Sequence, residues 1–174
     1  MRIRAALLAI ALGMVACQNM PEPYAPPVQR KPFNDFHPRV VRVVNMADPD
    51  AHLSFVQDIA AGSSGSWRWT GKRPTIKLRL RSNENLKFVI DFTLPEVTFK
   101  DTGPVTVSFF VNDRELGEER YTTSGVKHFE QPIPASWVTP GQEATAAAEI
   151  DKVWVAKDDG ATLGFIVTRM GITQ

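Results

Sequence analysis

From Val40 onward the chain keeps a period of two. Val40, Val41, Val43 and Val44 open a first strand that ends at Asn45. Ile76, Leu78 and Leu80 alternate with Lys77, Arg79 and Arg81, the pattern of a half-buried strand. Leu86, Phe88, Ile90 and Phe92 repeat it, and so do Val105, Val107, Phe109 and Val111. Shorter runs at 115–121, 126–129, 144–150, 152–156 and 163–170 complete the set. Ser82 to Asn85 and Asn112-Asp113 are turn chemistry, because Asn and Asp tolerate a positive φ. About eight short strands separated by such turns predict an all-β fold, an antiparallel sandwich of jelly-roll type. The one helical segment expected is short and lies near 50–60. There Asp50 caps a turn and Leu53, Val56 and Ile59 face inward.

Before Val40 the pattern changes twice. Arg2 and Arg4 precede twelve uncharged residues, Ala5 to Ala16. That run is too short for a bilayer span, which takes roughly 20 apolar residues, and it has no polar stripe. It reads as a secretory signal peptide over 1–16. Residues 17–38 form a linker in which six of the chain's thirteen prolines fall, a composition that stays extended as a spacer. The domain proper is 39–174. Loss of the leader turns a formal charge of +1 into −1 on the remaining 158 residues. Neither value points to nucleic acid, and no basic cluster draws the domain onto anionic lipid.

Cys17 is the sole cysteine and has no partner for an internal disulfide. Met14-Val15-Ala16-Cys17 resembles the lipobox of bacterial lipoproteins, with Met14 where Leu is usual. That resemblance implies cleavage before Cys17, acylation of its thiol, and tethering to the membrane through lipid. Gln18, by the same resemblance, directs the product to the outer membrane rather than the inner. Within the domain, Trp67-Arg68-Trp69 precedes a strand, Asn112 ends one, and Asp158 to Gly164 precedes the last. This order resembles a galactose-binding-like jelly-roll module attached to envelope and polysaccharide-associated proteins. Asp113 stands where that pattern has Gly, and Ala161 where it often has Arg. The resemblance implies a fold and a sugar-rich setting without naming a ligand.

Candidate chemistry is aromatic and basic. Trp67 and Trp69 share one face of a strand, with Arg68 and Thr70 on the other. Two indoles so placed are either core, where tryptophan buries up to about 250 Å², or a platform for a pyranose ring. Trp154 poses the same choice, and Trp137, in a proline-flanked loop, is the more exposed. Arg79 and Arg81 extend a basic strip with Lys77 and Lys87, which reads either as a patch for an anionic polymer or as a solvated sheet face. His37, His52 and His128 are scattered without ligand spacing, so no metal site is expected. Asp158 and Asp159 are too few for calcium, and no pair of carboxylates stands out as a glycosidase acid and base. No cofactor motif is present.

The expectation is therefore a membrane-anchored, non-catalytic envelope lipoprotein whose sandwich binds envelope glycan. Trp67, Arg68, Trp69 and Trp137 are its first candidate contacts, with Arg79 and Arg81 a second patch. The alternative is a structural lipoprotein that docks a partner protein in an envelope complex; a hydrolase ranks last.

Overall fold

The computed structural model describes residues 42–62 and 65–174. The chain divides into two units, 1–37 and 38–174, and every described residue belongs to the second. The leader, Cys17 and the linker lie outside the described residues.

Eleven strands follow one another: β1 Val43–Asn45, β2 Phe55–Ile59, β3 Arg68–Arg79, β4 Lys87–Leu94, β5 Val105–Val111, β6 Arg114–Tyr121, β7 Gly125–Pro132, β8 Glu143–Ile150, β9 Trp154–Val155, β10 Thr162–Leu163 and β11 Ile166–Thr173. All their pairings are antiparallel. A hydrogen-bonded path runs β6-β5-β8-β3-β11-β4-β7, with β1 on β11 and β2 on β3. It bends at the joint between the start of β3 and the start of β11, where only Trp69–Ile166 and Arg68–Val167 pair. That joint brings two layers face to face, β1-β11-β4-β7 over β2-β3-β8-β5-β6. Aromatic rings cross the gap. Phe109 of β5 stacks on Phe129 of β7 with centroids 3.6 Å apart, and Phe92 of β4 meets Tyr121 of β6 edge to face at 5.4 Å. The fold is the all-β antiparallel sandwich that the alternation predicts, with its core on the inward half of each strand.

The alternation is obeyed most closely in β5, where Val105, Val107, Phe109 and Val111 are all buried. In β3, Ile76 and Leu78 face the core and Lys77 faces out. Asn112 and Asp113 take φ of 50° and 60° and close a two-residue hairpin between β5 and β6, as their chemistry predicts.

Two elements differ from expectation. The segment 50–60 is not an inward-facing helix. A single 3-10 turn, Ala51–Ser54, buries Ala51 and Ser54, and the chain then extends into β2. Leu53 and Val56 are left 58% and 52% exposed. The free edge of the long β3 offers backbone partners to β2, and these outweigh the weak helical spacing of three apolar residues. The α-helix lies elsewhere, α1 at Glu96–Thr102. It starts after Pro95, carries Glu96 in its first turn, and ends at Gly103 with φ of 67°, which are ordinary start and stop signals over a segment too short to show amphipathic periodicity.

Candidate functional site

β3 is unusual in belonging to both layers, and this decides where the candidate residues go. Its first residues lie between β2 and β11. Its later residues, Thr75 to Arg79, pair with Ala147 to Glu143 of β8. Ten residues separate Trp69 from Arg79, roughly 30 Å of extended chain. The Trp67–Trp69 run and the Arg79–Arg81 patch therefore occupy opposite ends of the sandwich.

At the first end, Arg68 and Thr70 are buried while Trp67 and Trp69 are half-buried. The two indoles are on the side of the strand that turns away from the core. Their rings meet edge to face, with centroids 6.4 Å apart and planes at 87°. A backbone lock holds the strand beneath them. The Thr70 hydroxyl donates to the carbonyl of Phe165 at 2.9 Å and accepts from its N–H at 3.1 Å. The Gly164 N–H donates to the carbonyl of Thr70 at 2.7 Å. Gly164 has no room for a side chain, since a Cβ there would come within 2.3 Å of the Gly71 carbonyl oxygen. This lock explains two features of the sequence, the Thr after the Trp-Arg-Trp run and the Gly before the last strand.

Arg68 does not point outward beside the indoles. Its guanidinium turns back along the chain, and Nη1 donates to the carbonyls of Gly65 at 3.1 Å and Trp67 at 2.8 Å. Its role is to hold the turn that presents Trp67. Trp154 belongs to the same end, because β10, its partner in the β9–β10 hairpin, leads directly into Gly164. Its Nε1–H donates to Asp101 Oδ2 of α1 at 2.7 Å, which pins the hairpin to the helix.

Trp137 lies at the other end. It packs on the core's margin, its carbonyl accepts from Asn112 Nδ2 at 2.7 Å, and the Arg114 guanidinium sits 5.8 Å from its ring centroid. Arg79 is close by in the fold, with Nη1 donating to the carbonyl of Gly141 at 2.9 Å, and Arg81 is exposed. The structure thus brings Trp67, Arg68 and Trp69 together and separates them from Trp137, Arg79 and Arg81. Nor is there one basic strip. Lys87 sits on β4 in the opposite layer from Lys77 and Arg79, and pairs with Glu130 at 2.8 Å. That bond from Lys87 holds the Glu130 carboxyl below its ordinary range.

On the outer face of the layer that contains β4, Asp91 accepts from Arg169 Nε at 2.7 Å and contacts His128 Nδ1 at 2.5 Å. The sequence shows the three residues but not their alignment across β11, β4 and β7. Among the described residues no three His, Cys, Asp or Glu side chains come together as a metal site, and no helix is long and apolar enough to cross a membrane.

No family model matches the chain, and no curated protein does. Solved structures that resemble it include a family 35 carbohydrate binding module from an environmental isolate, 14% identical with a TM-score of 0.41, covering 70% of this chain and 85% of that one. A family 35 carbohydrate binding module from Clostridium thermocellum is 12% identical with a TM-score of 0.38, covering 69% and 96%. CBM35 from Paenibacillus barcinonensis is 13% identical with a TM-score of 0.39, covering 77% and 99%. At these values the likeness carries no argument about a site, and the reading below rests on the chain's own residues.

Proposed function

We propose that this is a lipid-tethered, non-catalytic carbohydrate-binding protein of the bacterial envelope, with Trp67 and Trp69 as its sugar platform. One observation carries the reading. The two indoles are turned away from the core on a strand whose inward positions are filled by Arg68 and Thr70. A half-buried tryptophan held by a rigid backbone offers a flat apolar face at small entropic cost, and the C–H face of a pyranose stacks on such a surface.

The carbonyl of Arg42 accepts from the N–H of Ile172 at 2.7 Å, whereas Arg68 pairs with Val167. Val167 and Ile172 are five positions apart along β11, roughly 17 Å. Arg42 and the platform are therefore towards opposite ends of the last strand.

The test is titration of the chain from residue 18 onward with soluble envelope glycans, read by tryptophan fluorescence and calorimetry. Binding at millimolar ligand or tighter is expected. Trp67→Ala should weaken it at least tenfold, and Trp137→Ala should leave it within twofold. Absence of binding to any glycan overturns the proposal. Loss on Trp137→Ala with Trp67→Ala neutral moves the site to the other end. Membrane-fraction mass spectrometry checks the anchor separately, by the mass of acyl chains on Cys17.

A further inference from the structure

The outermost strands of the two layers are β1, β2, β6 and β7, and three of these edges are guarded. β1 has only three residues. β2 shifts register against β3 twice within five residues. β6 shifts once against β5, and five of its eight residues are charged, Arg114, Glu115, Glu118, Glu119 and Arg120. Shortness, bulges and dense charge keep a sheet edge from pairing with another chain. β7 is different. It runs for eight residues and meets β4 one for one with no shift. Its lysine is turned away, since Lys127 Nζ donates to Thr123 Oγ1 at 3.0 Å and lies over the Tyr121 ring. Val126 is 81% exposed.

The register of β7 on β4 decides which of its backbone groups are free. The Ile133 N–H, just past the strand, donates to the carbonyl of Leu86 at 2.8 Å. In an antiparallel pair, residues that bond to a given neighbour alternate with residues that do not. The odd-numbered residues of β7 therefore bond to β4, and Val126, His128 and Glu130 turn their N–H and C=O groups to the open edge. Pro132, next in that series, has no N–H to leave unpaired, which is where a sheet tolerates proline. The side chains of the same three residues are exposed on the outer face, while Phe129 between them is buried. Two of these side chains are only half engaged. His128 uses Nδ1 on Asp91 and Glu130 uses Oε1 on Lys87, and neither His128 Nε2 nor Glu130 Oε2 bonds to another described residue. We infer that this edge pairs with β7 of a second copy of the chain, antiparallel about Phe129, so that the layer β1-β11-β4-β7 continues into the second molecule. Facing residues must both carry free edge groups, which sets even-numbered residues opposite even-numbered ones. A two-fold at His128 would set that histidine against itself. A two-fold at Phe129 sets His128 opposite Glu130 of the other copy twice over, a ring nitrogen against a carboxylate, and each pair exchanges both backbone hydrogen bonds. This complementarity selects the second copy as occupant and fixes the register.

The experiment uses the full chain in detergent. Sedimentation equilibrium should show monomer and dimer with a Kd on the order of 100 μM, as suits a small interface. Hydrogen exchange at the amides of Val126, His128 and Glu130 should slow as protein concentration rises, and exchange along β2 and β6 should not. Glu130→Pro removes an edge N–H without touching the β4 ladder and should weaken the dimer at least tenfold. Glu130→Lys sets a cation opposite His128 and should also weaken it; the exposed pair with Lys87 that it loses contributes little to folding, so an unchanged melt shows the fold intact. A chain that stays monomeric throughout overturns the inference, and leaves the edge to a strand of another protein. A dimer that persists in both variants belongs to another surface and also overturns it. So does a dimer in which the three amides exchange no more slowly. No sugar is read in this experiment, so its failure leaves the platform reading where it stands.

Discussion

Single residues do much of the positioning, and two make sharp predictions. Gly164 accepts no Cβ because Gly71's carbonyl oxygen is 2.3 Å from where it would sit. That neighbour is backbone held by the β3–β11 joint, so it cannot swing aside. Gly164→Ala should cost roughly 2–4 kcal/mol, read by chemical denaturation, because it forces the strands apart at their narrowest approach. Tyr121 is buried, and its hydroxyl donates to Glu119 Oε2 at 3.0 Å. Burial first, and then the hydrogen bond and the charge of Glu119, push its pKa far above the ordinary tyrosine value of about 10. Well below pH 10 the phenol is neutral in both states. Above that, the unfolded tyrosine ionises and the folded one does not, so stability falls as pH rises. Denaturation midpoints measured from pH 9 to 11.5 should drop for the native protein and drop less for Tyr121→Phe. The dual nature of position 68 was not legible at this scale. Arginine between two tryptophans reads as a ligand contact, and only the direction of its side chain shows it bracing the turn from inside.

At the scale of elements, the hairpins and the core strands were readable and the edges were not. Asn112-Asp113 shows how local chemistry suffices: both residues tolerate the positive φ that a two-residue turn demands. Asp113 is still a compromise, since Gly takes that conformation without steric cost. It is held in part by its contact with Arg73 at 2.9 Å, where its side chain is 86% exposed. An exposed pair of this kind contributes little, and Arg73 keeps its contacts with Glu149 and the Phe110 ring. Asp113→Gly should therefore raise stability by about 0.5–1 kcal/mol in a thermal or denaturant melt. β2 went unread because its apolar residues have no partner in sequence. What makes it a strand is the open edge of β3, some ten residues later. α1 went unread because seven residues are too few for a helical period to stand out, although Pro95 and Gly103 mark its ends.

For the whole molecule, the decisive feature is the bend at which β3 passes from one layer to the other. It sets Phe109 against Phe129 across the core, where both sheets contribute to one stack. Phe109→Ala should cost about 3–5 kcal/mol through lost burial and the cavity left behind, measured by denaturant titration. The same bend puts Trp67 and Trp69 at the end of the domain away from Arg42, and Trp137, Arg79 and Arg81 at the other. The sequence by itself determined the class of fold, the turn at Asn112 and the inward residues of β3, β4 and β5, because period-two burial and positive-φ chemistry are local properties. It also determined that Trp67 and Trp69 share a side. Only the tertiary structure decided which side that is, that Lys87 and Arg79 lie on different sheets, and that Arg68 is buried and bonded to the carbonyls of Gly65 and Trp67. Those facts depend on which strands pair across long stretches of chain, and a side chain's surroundings are set by those partners rather than by its neighbours in sequence.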